Sequence, residues 1–107
     1  MTWTVFALNR AVEDEIAGLP ADTRARLSRL VALVEQHGFE VLPRETVKHL
    51  EDKLWELRIQ VKDGISRAIY VTASGKRVIV VRVFVKKTQK TPKTELEIAR
   101  QRAKEVR

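Results

Sequence analysis

Leu54-Trp55-Glu56-Leu57-Arg58-Ile59-Gln60-Val61 alternates between large apolar and charged or amide side chains, and its reading decides the fold. Successive side chains of a strand leave opposite faces of a sheet, so Trp55, Leu57, Ile59 and Val61 share one face and Glu56, Arg58 and Gln60 the other. Asp63-Gly64 follows as a hairpin turn, Ile65 to Ala73 as a second strand, Ser74-Gly75 as another turn, and Arg77 to Lys86 as a third strand. In that third strand Ile79, Val81, Val83 and Val85 fall on one apolar face. Three antiparallel strands joined by tight turns are predicted.

Outward from these strands the pattern turns helical. Trp3 to Leu8 is rich in strand formers and predicts a short edge strand. Asn9 can cap a helix from Arg10, in which Val12, Ile16 and Leu19 follow helical spacing until Gly18-Leu19-Pro20 breaks it. Leu27, Leu30, Val31 and Val34 predict a second helix, with Gly38 placed for a left-handed C-cap, and the two form a helical hairpin. Phe39 to Lys53 lacks steady periodicity and contains Pro43, so it reads as a connection with one helical turn near Val47 to Leu50. Thr91-Pro92 opens a last helix, threonine at the N-cap and proline at the first helical position. Its narrow stripe of Leu96, Ile98, Ala99, Ala103 and Val106 predicts light docking, or a wait for a partner. The order β-α-α-β-β-β-α is an α+β fold: a twisted antiparallel sheet with a helical hairpin on one face and a C-terminal helix. Residues 1–107 are read as one domain.

The chain carries 21 Lys plus Arg against 14 Asp plus Glu, a formal net charge of +7. A surplus of that size on a small surface attracts polyanions, nucleic acid first among them. There are no cysteines, which removes disulfides, thiolate chemistry and cysteine-based zinc sites together. No cofactor or metal is expected. Met1 to Arg10 has no basic leader ahead of its short apolar stretch, and no apolar run approaches membrane-spanning length. A soluble, cytoplasmic protein without a membrane partner is predicted.

By strand parity the apolar faces belong under the helical hairpin, and the polar sides face away. That open surface gathers Glu56, Arg58, Arg67, Arg82 and Lys86, with Phe84 among them. Such a set suits phosphodiester cleavage by the 2′-hydroxyl of RNA, which needs a base, an acid and cations on the developing charge. Glu56 is the candidate base, Arg58 and Arg67 a bidentate phosphate clamp, and Phe84 a face on which an unstacked base sits. The same residues also suit a solvated sheet face with a cross-strand Glu-Arg pair. Tyr70, Trp3 and Trp55 are assigned to core or edge packing ahead of base stacking.

Leu54-Trp55-Glu56-Leu57-Arg58, Gly64-Ile65-Ser66-Arg67-Ala68-Ile69-Tyr70 and Phe84-Val85-Lys86-Lys87-Thr88-Gln89-Lys90-Thr91-Pro92 resemble the phage-derived, HigB-like branch of the RelE/ParE toxins. The resemblance spans Val47 to Ala103. It implies a type II toxin that cleaves messenger RNA in the ribosomal A site without a metal. Silencing by a cognate, HigA-like antitoxin is implied too, with operator DNA bound only through the toxin-antitoxin complex. It also implies that Arg67 contacts the scissile phosphate, and it matches Arg58, Lys86 and Lys87 to basic positions of the family. His49 sits in a Lys-His-Leu stretch similar to a catalytic loop histidine of some HigB toxins. Lys90 and Lys93 would reach ribosomal RNA phosphates. No His or Tyr follows the last strand where some members carry an acid. Within the superfamily a ParE-like gyrase-inhibiting toxin shares the fold, and a non-catalytic nucleic-acid-binding module is the further alternative.

Overall fold

The computed structural model describes residues 2–62, 64–86 and 90–106. The predicted turn residue Asp63 and the predicted catalytic Lys87 lie outside them.

The helical hairpin forms where its punctuation places it. Helix α1 runs Arg10–Ala17, opened by Asn9, whose side-chain oxygen accepts the Val12 N–H at 3.1 Å. Helix α2 runs Ala21–His37 and buries Thr23, Leu27, Leu30 and Val34 on one stripe. Gly38 ends it at φ +82°, a conformation that favours glycine, and its N–H closes on the Val34 carbonyl at 2.8 Å.

Strand β1 (Thr4–Ala7) and the long strands β3 (Leu54–Val61), β4 (Gly64–Ala73) and β5 (Arg77–Val85) agree with the alternation in the sequence. The connection before them does not. Phe39–Val41 and Arg44–Thr46 are single 3-10 turns, and where a helical turn is predicted near Val47 to Leu50 the chain forms strand β2 (Val47–Glu51). It pairs antiparallel with β3 and bulges between His49 and Glu51. A short, charged, bulged edge strand has no clean period-2 pattern to read. The sheet order is β1-β5-β4-β3-β2.

The sheet is antiparallel from β2 to β5, but β1 joins β5 in parallel, Thr4 beside Arg77 and Ala7 beside Val80. The outer side of β1 is guarded by α2: Glu35 accepts the Val5 N–H at 2.9 Å, which occupies a donor that an exposed edge would offer to other chains.

The predicted single apolar face of β5 is split in two. Ile69 pairs with Arg82 and Tyr70 with Val80, so Val81 is an extra residue in the strand. Val78, Val80 and Val83 pack under the hairpin with Val12, Leu30, Val34, Leu57, Ile59 and Tyr70. Ile79, Val81 and Phe84 pack on the other face with Leu54, Ile69 and Val71, while Val85 is exposed.

That other face is not open. Helix α3 (Lys93–Ala103) lies on it with Ala99 fully buried and Leu96 and Ala103 beside it. Polar ties also hold α3, contrary to the light docking predicted from its stripe. Arg102 donates to the Val81 carbonyl at 2.9 Å and to Glu15 of α1 at 3.1 Å, and Glu15 accepts the Val83 N–H at 3.0 Å. Strand β1 ends at Ala7 opposite Val80, and beyond that end these two side chains satisfy the Val81 carbonyl and the Val83 N–H. Arg100 of α3 also pairs with Glu51 of β2 at 2.6 Å, which lowers the Glu51 pKa.

Glu15→Ala removes the acceptor of a shielded N–H together with the partner of two arginines. A cost of about 2–3 kcal/mol is expected, read as a lower urea midpoint at unchanged slope. Glu13→Ala, on the exposed side of α1, should shift the midpoint by no more than about 0.5 kcal/mol. Equal midpoints for wild type and Glu15→Ala would show that the bulge holds α1 and α3 by packing alone.

Candidate nucleic-acid interface

Parity and register bring Glu56 and Arg58 of β3, Arg67 of β4, and Arg82 and Phe84 of β5 to the α3 side of the sheet. In register Arg58 lies directly opposite Arg67, and Arg67 opposite Phe84. Lys86 continues from β5, its backbone N–H donating to the Ile65 carbonyl at 2.8 Å.

At the centre is a buried ion pair. Arg67 Nη1 donates to Glu56 Oε1, and the Thr91 hydroxyl donates to Glu56 Oε2 at 2.5 Å. Arg67 Nη1 also lies 3.4 Å from Thr91 Oγ1. Glu56 and Arg67 are each 1% exposed, so the predicted solvent-facing base and clamp are roofed over. Burial holds the Arg67 pKa below its ordinary value, the Glu56 carboxylate opposes that shift, and the neighbouring Arg58 adds to it. Arg67 nevertheless remains a cation.

Thr91 is the residue that sequence reasoning assigned elsewhere. It was predicted to cap α3, but the helix starts at Lys93 behind Pro92 with no side-chain cap bond, and the hydroxyl serves Glu56 instead. The available signal was chemical: a buried carboxylate with two oxygens needs donors beyond one guanidinium.

Two of the predicted RNA-binding residues are engaged within the protein itself. Arg82 donates from Nε to Glu95 at 2.5 Å and from Nη1 to Glu15 at 2.6 Å. Hydrogen bonding to Glu95 raises its pKa, with Glu15 adding to the shift. Arg82 is therefore a strut between α1, β5 and α3, its Nε and Nη1 each held by a carboxylate. Phe84 is buried in the α3-side core, so its ring offers no open face to a base. Arg58 and Lys86 are half-buried, and Lys90 and Lys93 are exposed around the start of α3.

His49 is not part of this group. It pairs in register with Trp55, whose neighbour Glu56 faces the other way, and its ring lies 4.8 Å from the Trp55 ring on the hairpin side. Its Nε2 is hydrogen-bonded to the Asp52 carbonyl at 2.8 Å. Tyr70 is core as predicted, stacked on Phe39 at 5.3 Å, and burial pushes its phenol pKa up.

The family described as phage derived protein Gp49-like matches residues 14–104, which include every side chain of the network from Glu15 to Arg102. The chain belongs to that family. Its fold is shared with the crystal structure of an archaeal RelE-RelB complex from Pyrococcus horikoshii OT3, at a TM-score of 0.54 and 21% identity. The superposition covers 79% of this chain and 96% of the other. No curated protein matches the chain in sequence.

Removing one partner of a buried pair leaves the other charge without compensation. Glu56→Ala should therefore destabilise the fold by about 3–5 kcal/mol, while Glu56→Leu with Arg67→Met should recover most of that loss. Thermal unfolding of the three proteins decides it. A double variant as unstable as Glu56→Ala would show that shape, and not charge compensation, dominates at this site.

Proposed function

We propose that the chain is the toxin of a type II toxin-antitoxin system, of the HigB type, and that it cleaves messenger RNA on the ribosome without a metal. The observation that carries this reading is the register of Arg58 against Arg67. Like charges directly opposite on neighbouring strands repel, and Glu56 neutralises only one of the two guanidiniums. A phosphate relieves the remaining repulsion, and planar guanidiniums bind its oxygens bidentately.

In the proposed reaction the substrate phosphate takes the Arg67 guanidinium from Glu56, which frees a carboxylate oxygen to accept the 2′-hydroxyl proton. The 2′-oxygen bonds to phosphorus, the bond to the 5′-oxygen breaks, and Lys86 protonates the leaving oxygen. Arg58 and Arg67 stabilise the charge that develops on the non-bridging oxygens. Because Thr91 and α3 cover the resting pair, the message must be held in place for this exchange, which supports ribosome dependence. Lys90 and Lys93 would then meet ribosomal RNA phosphates. The archaeal structure that shares this fold is a complex with RelB, which supports a protein antitoxin here as well. No helix among the described residues is long and apolar enough to cross a membrane, in keeping with a cytoplasmic role.

Arg67→Lys keeps a charge beside Glu56 and loses the planar fork. Cleavage of a defined message in translating extract containing chelator should fall by about tenfold or more, with the unfolding midpoint nearly unchanged. Naked RNA should remain uncut at the same protein concentration. Full activity in Arg67→Lys would remove the clamp, and stabilised gyrase-DNA complexes without RNA cleavage would assign the chain to gyrase inhibition.

A further inference from the structure

On the hairpin side of the sheet, at the end away from Arg58 and Arg67, lies a groove of about 250 Å³ lined by Trp3, Phe39, Val47, Trp55, Tyr70 and Thr72. Both tryptophans of the chain and four of its six Trp, Tyr and Phe side chains meet there. Trp3 packs edge-on against Phe39 at 5.4 Å, and Phe39 stacks on Tyr70. Trp55 keeps 38% of its surface exposed at the rim, so the cluster is not closed as a core would be.

The positive φ angles in the two turns at this end of the sheet are those that tight β-hairpins require. Asp52 at φ +46° and Lys76 at φ +55° are the non-glycine residues of positive φ among the described residues, and they sit in the two turns at this end of the sheet. An L side chain adopts that region only at a cost. Each strained residue supports one tryptophan. The Lys76 ammonium lies 5.9 Å from the centre of the Trp3 ring, and the Asp52 carbonyl holds His49, which leans on Trp55. Lys76 brings a cation to the turn beside Trp3, whereas Lys53 in the other turn lines a pocket with Val71 and Ala103 on the α3 side.

An aromatic slot beside a cationic turn matches the chemistry of a single-stranded nucleic acid, whose bases stack and whose phosphates seek cations. Strand addition by a protein partner fits less well, because β2 beside the groove is bulged and charged. We infer that the groove between Trp3 and Trp55 seats one unstacked base of single-stranded RNA, with a flanking phosphate on Lys76. The inference rests on the reading of the chain as an RNA-binding protein, but not on cleavage. It gives the message a second hold on the opposite face from Arg67.

Both tryptophans line the groove, so their fluorescence reports its occupation directly. Titrating the whole protein with hexaadenylate and with an abasic ribose-phosphate hexamer of equal charge should quench emission in both cases. The base-bearing oligomer should bind about fivefold or more tightly. Trp55→Ala should abolish that preference. Lys76→Gly, in which glycine suits the positive φ of the turn, should weaken the binding of both oligomers. Arg58→Ala should leave the preference intact, so failure of the cleavage site and failure of this seat are separable. Equal affinity for the two oligomers, or a preference that survives Trp55→Ala, overturns the proposal. Quenching by an aromatic peptide but not by hexaadenylate overturns it in favour of a protein partner.

Discussion

One extra residue in β5 governs the layout of the molecule. Without the bulge at Val81, the side chains from Arg82 onward would take the opposite faces, and Phe84 would leave the neighbourhood of Arg67. Beyond the end of β1 the Val81 carbonyl and the Val83 N–H need partners from outside the sheet, and an unsatisfied backbone group in a shielded place is expensive. Glu15 and Arg102 meet that demand from α1 and α3, and Arg82 joins the same carboxylate. Helices from the two faces of the sheet are thereby tied through the rim of one strand.

This shows why parts of the molecule were legible in its sequence and others were not. Asn9, Gly38 and the turn at Gly75 act through local backbone geometry, so the helical hairpin and the β4-β5 turn could be read from residue type. The sides of Glu56, Arg58 and Arg67 followed from alternation. Val78-Ile79-Val80-Val81, however, is apolar at every position, and a strand buried on both faces hides an inserted residue. Strand β2 was missed for the opposite reason. It carries Lys48, His49 and Glu51 within five residues and buries little, so the pattern that marks a strand is absent.

Exposure was the harder inference at the site. A charged residue on the polar side of a strand reads as solvated by default, since charges are rarely buried unless paired. Glu56 and Arg67 are the paired exception, and the half-buried Arg82 is likewise held by carboxylates. What covers them is α3, whose own stripe is weak because its attachment is largely polar: Arg100 to Glu51, Arg102 to Glu15 and Glu95 to Arg82. A pattern of apolar residues cannot report a helix held by ion pairs.

The parallel seat of β1 beside β5 has a consequence in time. Thr4 and Arg77 are neighbours in space and far apart along the chain, so the first strand to be synthesised is among the last to be paired. As the nascent chain emerges, α1 and α2 can form locally, but β1 waits for β5, and the roof over Glu56 and Arg67 waits for α3. The ribosome that translates this message therefore never faces the assembled sheet until the segments encoding β5 and α3 have been read.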